Sequence, residues 1–458
     1  MPTTDTRKYR TFLTRCFSHM LSTNTTQMYL AIGRLLSWTE EGNPPTPNTS
    51  TQTVDFDVWR DMLAAKRIDS ANTSYVIPRR DWASDTVYTQ YDDTVQNIAN
   101  SNIYVLDTQT LPYRVYKCLW NNRGANSTVA PSTTGNTVSP VATADGYVWQ
   151  YMYAIRTDDY QFLTDSWMPV RSDNLVISYA QSNAGKLSTV VPLMLTSNGG
   201  GFNDTAAVST FTITLTGDGN GAVINAATDL TFTSNTITKV LLSNGGIGYT
   251  QTDTVVIQQT GATANAEGRI IIPPYPNHGY DPQTELGGAG FMLTTVLQDD
   301  ELDKLTTVND YRRILLLADP TDATTNATAN ASFYRQTFDL YLDSNTGVFQ
   351  TDESIYVSNN DDYEVTGTVV DVITTNLEPG ITALVRVANV SDKGRSVAFQ
   401  AGDEITSANV EGTIGVVSRV DVPELRPFTG SVLYIDQREA VTRHPNQSEE
   451  IKLVFRFD

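Results

Sequence analysis

The chain has 458 residues, of which 40% are hydrophobic and 18% charged, and its formal net charge is −20. At about 150 residues per domain, this length predicts two to four domains whose cores can be stable without disulfides. So acidic an average surface repels the phosphate backbone of nucleic acid, and we expect no nucleic-acid partner.

The two cysteines, Cys16 and Cys118, have no CxxC or Cys/His neighbourhood. We expect both to be reduced core residues of a protein made in a cytosol. No apolar run approaches the roughly 18 residues that would cross a bilayer. The basic N-terminal stretch is followed by aromatic residues instead of a smooth apolar segment, so we expect neither export nor membrane insertion.

The first predicted element is an amphipathic helix near the N-terminus. Its apolar face comprises Tyr9, Phe12, Leu13, Cys16, Phe17 and Met20, and its basic face comprises Arg7, Lys8, Arg10 and Arg15. The helix either packs on its own domain or acts as a basic arm that docks on an acidic partner subunit.

A buried strand is predicted over Met28–Trp38, with a bend at Gly33. A short helix is predicted over Val58–Lys66, capped by Asp57, because Trp59 and Met62 would share one face.

Three aromatic segments predict further strands. They are Tyr75–Trp82, Pro112–Trp120 and Tyr147–Ile155, and the last alternates so that both of its faces are occupied. Between the last two, Asn121–Ala144 is rich in Ser, Thr, Pro and Gly and predicts a surface loop.

An internal repeat follows. Leu195–Phe202 (LTSNGGGF) recurs as Leu241–Tyr249 (LLSNGGIGY), and a Thr/Val-rich strand follows each copy. Such a repeat predicts two similar β units packed together. The turn Gly217–Gly221 (GDGNG) predicts a hairpin between the strands on either side of it.

After Pro273-Pro274 the composition changes, which indicates a domain boundary. Tyr311–Asp319 predicts a strand, and a second β-rich block over 333–422 contains the related motifs Gly367–Val372 and Gly412–Val417. The chain closes with strand-like segments over 430–435 and 451–457.

The sequence offers few reactive groups. His19, His278 and His444 are far apart and accompany no GxSxG, HExxH or CxxC motif, so we expect ordinary loop or surface histidines and neither a metal nor another cofactor. Carboxylate doublets such as Asp92-Asp93 and Asp158-Asp159 are the alternative, because glycosidases use carboxylate pairs. Neighbouring carboxylates on a strand point to opposite faces, so we expect no enzyme.

Tyrosines form the other candidate surface. Tyr88, Tyr91, Tyr147, Tyr151 and Tyr153 could build a sugar-stacking platform, but a core layer or a protein interface is favoured. The alternative function is therefore a carbohydrate-binding or polysaccharide-cleaving protein.

Four ordered blocks carry a family resemblance. They are Trp59–Met62 with Val76–Trp82 (VIPRRDW), then Val115–Leu119 (VYKCL), then Asp145–Tyr151 (DGYVWQY), and last Gly430–Ile435 with Arg438 and Glu449–Phe455. Together they resemble the homodimeric baseplate wedge protein family of T4-like contractile-tailed phages, over roughly 1–180, 280–330 and 424–458.

The resemblance implies a β-sandwich core with a few short flanking helices. It does not extend to two further β-rich regions, which we expect to be inserted domains, so the whole fold is expected to be mainly β. On this basis the core comprises 1–190, 273–332 and 424–458, and the insertions comprise 191–272 and 333–423. It further implies a structural protein of the virion tail, made and assembled in the host cytoplasm, whose partners are a second copy of itself and other wedge subunits. The alternative function then becomes a carbohydrate-binding or polysaccharide-cleaving tail component that contacts the host surface.

The charged part of the second block is the main candidate site. Arg79, Arg80 and Asp81 lie between Pro78 and Trp82, where an arginine can hold a carboxylate in two-pronged fashion. They either contact another subunit or brace the fold. Asp145-Gly146 predicts a turn that sets the register of the following strand.

Overall fold

The computed structural model describes residues 7–23, 25–47, 52–359, 362–392 and 398–456. The chain is mainly β, as predicted, with short helices beside several sheets and one closed barrel. Within the described ranges, none of the helices has both the length and the apolar character needed to cross a membrane.

The elements are numbered in chain order. The α-helices are α1 Arg7–Ser22, α2 Gln52–Arg60, α3 Asn174–Ser182 and α4 Pro282–Glu285. The strands before residue 200 are β1 Met28–Gly33, β2 Met62–Ile68, β3 Thr73–Pro78, β4 Tyr104–Asp107, β5 Arg114–Trp120, β6 Val141–Ala142, β7 Val148–Ala154, β8 Trp167–Pro169 and β9 Met194–Gly200. Those up to residue 298 are β10 Phe211–Gly217, β11 Asn220–Val223, β12 Leu230–Thr233, β13 Thr236–Val240, β14 Asn244–Ile247, β15 Thr252–Gln259, β16 Ala264–Arg269 and β17 Gly290–Gln298. The remaining strands are β18 Tyr311–Ala318, β19 Phe333–Arg335, β20 Phe338–Thr346, β21 Ser354–Asn359, β22 Asp362–Ile373, β23 Ala383–Ser391, β24 Glu404–Ser407, β25 Ile414–Asp421, β26 Ser431–Val441 and β27 Ser448–Arg456.

The chain divides into two compact units, and the first comprises residues 1–16, 74–292 and 454–458. In it, β4, β5, β7 and β6 form an antiparallel sheet in that order, and β3 pairs with β8. Side chains of both sheets share one core, so they are the layers of a β-sandwich. The core includes Ile77, Tyr104, Leu106, Val115, Met152, Tyr153 and Met168. Both faces of β7 are buried, as predicted.

The repeat lies in the same unit. Strands β10, β15, β16 and β9 form a sheet in that order, while β11 pairs with β14 and β12 with β13. The strands that follow the two repeat copies, β10 and β15, pair directly with each other. The last residues of the copies, Phe202 and Tyr249, are buried in one core.

The predicted hairpin at Gly217–Gly221 is wrong. Strand β11 leaves β10 and pairs with β14 instead. The Asp218 carboxylate accepts hydrogen bonds from the backbone N–H groups of Thr250 and Gln251. This carboxylate therefore ties the turn to the start of β15 and not back to β10.

The second unit comprises residues 17–73 and 293–453. Its first sheet is antiparallel in the order β19-β2-β1-β18-β26, and α2 covers one face with Val58 and Trp59. The strand predicted over Met28–Trp38 is shorter than expected and ends at Gly33, where the sequence predicted only a bend. A Cβ atom there would lie 2.6 Å from the carbonyl oxygen of Asp61, so the close approach requires glycine.

The 333–422 block contains the closed barrel, with strand order β20-β23-β22-β21-β24-β25. The two related motifs lie in or beside β22 and β25, and they place Val369 and Val417 in the barrel core. The predicted strands at 311–319, 430–435 and 451–457 correspond to β18, β26 and β27.

Two helix predictions need correction. The helix expected over Val58–Lys66 ends at Arg60, and Met62–Ile68 is strand β2 with its first four residues buried. Trp59 and Met62 therefore belong to a helix and a strand that pack in the same core, and not to one helix face.

Helix α1 is present, but the predicted burial of its faces is wrong. Thr11 and Thr14 are buried, whereas Tyr9 and Phe12 are 55% and 58% exposed. Cys16 on this helix is also exposed, so the expectation of a core cysteine holds for Cys118 and fails for Cys16.

Candidate functional site

The segment that follows β3 carries the charges singled out from the sequence. Arg79 holds Asp81 in two-pronged fashion, with Nε–Oδ1 and Nη2–Oδ2 distances of 2.8 and 2.9 Å. Arg79 Nη1 also donates to the carbonyl oxygen of Thr164 at 3.0 Å. The pair therefore links the end of β3 to the loop before β8.

Arg80 does not contact Asp81 in this pair and instead binds a neighbouring turn. Its guanidinium donates to the carbonyl oxygens of Ala99, Asn100 and Ser101, at the C-terminal end of a 3₁₀ turn. It also lies over the Tyr104 ring, 4.5 Å from the centroid. A cation there satisfies carbonyl groups that the turn leaves without partners.

The Asp145-Gly146 turn is held by its carboxylate. Asp145 accepts hydrogen bonds from the Thr143 hydroxyl and from the backbone N–H groups of Thr128 and Val129. Burial raises the pKa of Asp145, but these hydrogen bonds outweigh it and bring the pKa below its ordinary value. The carboxylate also accepts from Ser127, whose hydroxyl receives the Trp82 indole N–H at 3.2 Å.

The basic residues of α1 do not act as one group. Arg15 forms an ion pair with Asp281 at 2.6 Å and donates to Gln283 at 2.8 Å, so it anchors the helix within the first unit. Lys8 is exposed and Arg10 is half-buried, while the side chain of Arg7 lies outside the described residues.

Arg10 and Arg80 line the same cavity in the first unit. Its volume is about 330 Å³, and Arg456 from β27 lines it as well. Asn97, Asn100 and Trp167 contribute to its wall. Three guanidinium-bearing residues from separate elements therefore converge in a chain whose net charge is −20.

A second arrangement, a buried ionic cluster, was missed in the sequence. Lys117 Nζ lies 2.7 Å from Glu285 Oε2 and 3.1 Å from His278 Nδ1, and it stands over the Tyr91 ring at 4.2 Å. His278 lies in a turn, as expected of a loop histidine, but it is buried and not at the surface. The alternating pattern of β5 gave no sign that Lys117 points into the interior, where it is 1% exposed.

The protonation of this cluster follows from its contacts. Burial and the Lys117 ammonium lower the pKa of His278 to about 4, so the ring is neutral and its Nδ1 accepts from Lys117. Burial raises the pKa of Glu285, but Lys117 and His278 outweigh it and lower the pKa to about 2. Burial lowers the pKa of Lys117. The cluster is one ion pair with a neutral histidine.

The other reactive candidates occupy separate places. His19 and His444 are exposed, and the described residues include no cluster of three or more potential metal ligands. The doublet Asp92-Asp93 holds Arg269 at 2.5 and 2.7 Å. These carboxylates tie the Tyr91–Thr94 loop to β16.

The tyrosines are core residues. Tyr88, Tyr147, Tyr151 and Tyr153 are all buried, which confirms the favoured interpretation for these four and removes them from any sugar-stacking surface. Tyr91 is half-buried beside His278, with ring centroids 4.7 Å apart.

Comparison with known proteins gives the first part of the chain a family context. The family model described as Bacteriophage T4, Gp8 matches residues 4–121, about a quarter of the chain. The chain is also similar to the baseplate wedge protein gp8 of Enterobacteria phage T4, with 25% identity over 163 residues. That alignment covers 29% of this chain and 48% of that protein, so the chain spans about half the length of its curated relative.

The predicted resemblance to a baseplate wedge protein is thereby confirmed. The matched residues 4–121 include the Val76–Trp82 and Val115–Leu119 blocks. The blocks at 145–151 and 430–455 lie outside that range and stay predictions. The match also includes three residues whose contacts organise this part of the fold, namely Arg79, Arg80 and Lys117.

Proposed function

We propose that this chain is a structural component of the tail baseplate wedge of a contractile-tailed phage, assembled in the host cytoplasm and without catalytic activity. The observation that carries the proposal is the match of residues 4–121 to the Gp8 family model, together with the similarity to a baseplate wedge protein. The chain acts by homodimerisation and by contacts with other wedge subunits.

The internal contacts of the matched part support a structural role. Arg79 and Arg80 tie two loops, one at Thr164 and one at Asn100, to the segment that follows β3. Lys117 and Glu285 lie in the interior as an ion pair, and such pairs constrain the arrangement of the groups around them. These residues brace the fold, and subunit contacts are assigned to other surfaces.

The outward face of α1 is the first of these surfaces. Arg15 fixes the helix through Asp281, while Tyr9 and Phe12 remain more than half exposed. Aromatic residues are enriched at protein interfaces. We assign this face to contact with a neighbouring wedge subunit. Helix α1 then contributes to the subunit contact through its aromatic residues more than through its basic ones.

The two β blocks are additions to the wedge core in this proposal. The sheet β10-β15-β16-β9 has its own core around Phe202 and Tyr249, and the closed barrel has another around Val369 and Val417. A separate core is what allows a block to be inserted between elements of an existing domain. The segments 191–272 and 333–423 therefore extend the subunit without interrupting its sandwich.

Immuno-electron microscopy on virions carrying this gene tests the assignment. Antibodies against the purified chain should label the baseplate end of the tail, and preincubation with the chain should abolish the label. A phage with the gene disrupted should yield particles without complete baseplates, and expression in trans should restore them. Label on the head, or intact baseplates without the gene, would refute the proposal.

Homodimerisation is tested separately by light scattering coupled to size exclusion. The purified chain should elute with twice the monomer mass of 50.4 kDa. A monomer at every concentration would remove the dimer from the proposal while leaving the baseplate role to the microscopy.

A further inference from the structure

The turn over residues 299–304, between β17 and β18 of the second unit, presents a leucine to solvent. The Leu302 side chain is 91% exposed, the largest fraction for any large hydrophobic residue in the described chain. Four non-glycine residues of the turn have positive φ, namely Asp299 (+46°), Glu301 (+47°), Leu302 (+63°) and Asp303 (+63°). Such backbone persists only where the surrounding structure holds it, and it accumulates at functional sites.

Ion pairs hold this turn in place. They are Lys66–Glu301, Arg386–Asp303 and Lys304–Glu424, with N–O distances of 2.5, 3.0 and 2.9 Å. Asp299 also accepts hydrogen bonds from the Arg443 side chain and from the backbone N–H of Asn446. Because Leu302 is carried on an ordered turn, little conformational entropy is lost when it contacts a partner.

Asp300 is the charged residue of the turn whose side chain stays available. It is exposed, and its carboxylate has no ion pair or hydrogen bond among the described residues. Its backbone oxygen accepts from the N–H groups of Lys304 and Leu305, so its position is fixed. The turn therefore offers an apolar side chain and a free carboxylate two residues apart.

An apolar groove lies in the same unit. Its volume is about 250 Å³, and its apolar wall includes Trp59, Phe338, Val390, Pro423, Pro427 and Phe428. An apolar cavity of roughly 150 Å³ already holds a benzene ring, so the groove has room for an aliphatic side chain. Phe428 is 57% exposed at its edge.

Arg60 is the only basic residue among the described residues of the groove wall. Its closest approach to Asp57 is 3.8 Å, and the two side chains are 43% and 54% exposed, so this pair binds the guanidinium weakly. The donors of Arg60 are therefore available to another carboxylate. Asp392 lines the groove as well, and it takes part in another interaction within the chain.

The turn and the groove are neighbours on one surface. Glu424, the partner of Lys304, directly follows Pro423 of the groove, and Arg386, the partner of Asp303, lies two residues before Ala388 of the groove. Leu302 does not fill the groove of its own chain, because it is 91% exposed. A two-fold axis between the two features would bring the turn of each copy to the groove of the other.

We propose that Leu302 of one copy inserts into this groove of a second copy, where Asp300 pairs with Arg60. The contact is reciprocal, so it closes a pair of chains and does not extend into a filament. Two chains of net charge −20 repel each other unless opposite charges meet at the contact, and Asp300 with Arg60 supplies that match. The inference rests on the homodimer of the proposed function and locates its contact.

Sedimentation equilibrium of the full chain at several concentrations measures the dissociation constant of the dimer. Leu302→Asn removes the apolar side chain, and asparagine tolerates the positive φ of this position. Leu175→Asn is the matched control, because Leu175 is 71% exposed on α3 of the first unit. Leu302→Asn should raise the dissociation constant at least about tenfold, and Leu175→Asn less than about twofold.

Charge reversal tests the ionic part of the contact. Asp300→Arg and Arg60→Glu should each raise the dissociation constant at least about tenfold, because like charges would meet at both contacts. An equimolar mixture of these two variants should associate within about threefold of the unsubstituted chain, since each contact of the mixed pair again joins opposite charges. The double variant Asp300→Arg/Arg60→Glu should recover in the same way, and thermal melting verifies that every variant is folded.

The outcomes separate this contact from the proposed function. A monomer at every concentration would remove the homodimer and this contact with it. A dimer that responds equally to Leu302→Asn and Leu175→Asn, or whose charge-reversed variants do not recover on mixing, would refute only the contact. A Leu302→Asn chain that dimerises normally but is not incorporated into baseplates would assign the turn to a different wedge subunit.

Discussion

Lys117 and Glu285 form a 2.7 Å ion pair in the core of the first unit, with side chains only 1% and 6% exposed. Glu285 Oε1 accepts from the backbone N–H of Gly279, also at 2.7 Å, so both carboxylate oxygens are satisfied. A charge in such surroundings is tolerated only with its partner in place. The pair thus makes the position of α4 depend on a residue in the middle of β5.

Removing one partner should be costly. We expect Lys117→Met to lower the free energy of unfolding by about 3–5 kcal/mol, because the Glu285 carboxylate would stay buried without a countercharge. Urea denaturation followed by circular dichroism measures the change.

The control is a more exposed ion pair on β27. Lys452 lies 3.1 Å from Glu450, and Lys452→Met should cost less than about 1 kcal/mol. The double variant Lys117→Met/Glu285→Gln should recover part of the loss, since the new amide oxygen can keep the hydrogen bond from Gly279 without carrying a charge. Equal losses for Lys117→Met and Lys452→Met would contradict the buried pair.

Acid should destabilise the chain through His278. The unfolded histidine takes up a proton near pH 6.5, whereas the folded one resists protonation down to about pH 4. The unfolded state therefore binds more protons between these values, and the free energy of unfolding should fall as the pH is lowered through this window. Glu285, with its pKa lowered to about 2, continues the loss at still lower pH.

His278→Gln provides the comparison for this pH dependence. Glutamine does not titrate, and its side-chain oxygen can still accept from Lys117. Urea denaturation at pH 7, 6 and 5 should show a shallower decline for the variant than for the unsubstituted chain. The same slope in both would exclude His278 as the source.

Strand identity could be predicted because the local pattern and the tertiary environment agree. Residues 147–155 and 314–318 are almost entirely apolar, and both lie in strands that are buried on their two faces. The helix prediction over Val58–Lys66 was wrong because Trp59 lies in α2 and Met62 in β2. Both side chains are buried in the same core, and their separation of three residues resembles the spacing of a helix. The hairpin prediction at Gly217–Gly221 was wrong because tertiary contacts, and not the turn sequence, determine which strand β11 pairs with.

The candidate sites show the same limit. A two-pronged arginine–carboxylate contact could be proposed for this cluster because Arg79 and Asp81 lie in one short segment, but the sequence left open whether it would brace the fold or bind another subunit. The Lys117 cluster joins residues more than 160 positions apart, and the arginine-lined cavity joins both ends of the chain. Nothing in a single sequence relates positions that are so distant.

The glycines before the repeat aromatics allow a matched test. Gly201 and Gly248 both have positive φ, at +72° and +76°, where an alanine is strained by about 1–2 kcal/mol. A Cβ at Gly248 would meet nothing within 4 Å, whereas at Gly201 it would lie 2.8 Å from the backbone nitrogen of Thr263. Gly201→Ala should therefore be the more destabilising in thermal melting, and a larger loss for Gly248→Ala would contradict this geometry.

Arg80 should matter more for stability than Arg79. Arg80→Ala leaves three carbonyl groups without their donor, and we expect a loss of about 2–3 kcal/mol. Arg79→Ala should cost about 1 kcal/mol, since its partner Asp81 is 43% exposed and can be hydrated. Lys239→Gln, on the exposed side of β13, serves as the control and should stay within about 0.5 kcal/mol. Unchanged urea midpoints for both arginine variants would show that neither braces the fold.

A substitution on the exposed face of α1 should affect assembly and not folding. Phe12→Ser should change the free energy of unfolding by no more than about 0.5 kcal/mol, because the ring is 58% exposed. The same substitution should reduce incorporation of the chain into baseplates when it is supplied in trans to a phage lacking the gene, since a neighbour would lose an aromatic contact. Thr14→Val is the control on the opposite, buried face: it removes the hydroxyl that donates to the Arg10 carbonyl oxygen, and it should affect melting while sparing incorporation of the folded chain. Normal incorporation of the Phe12→Ser chain would assign the subunit contact to another surface.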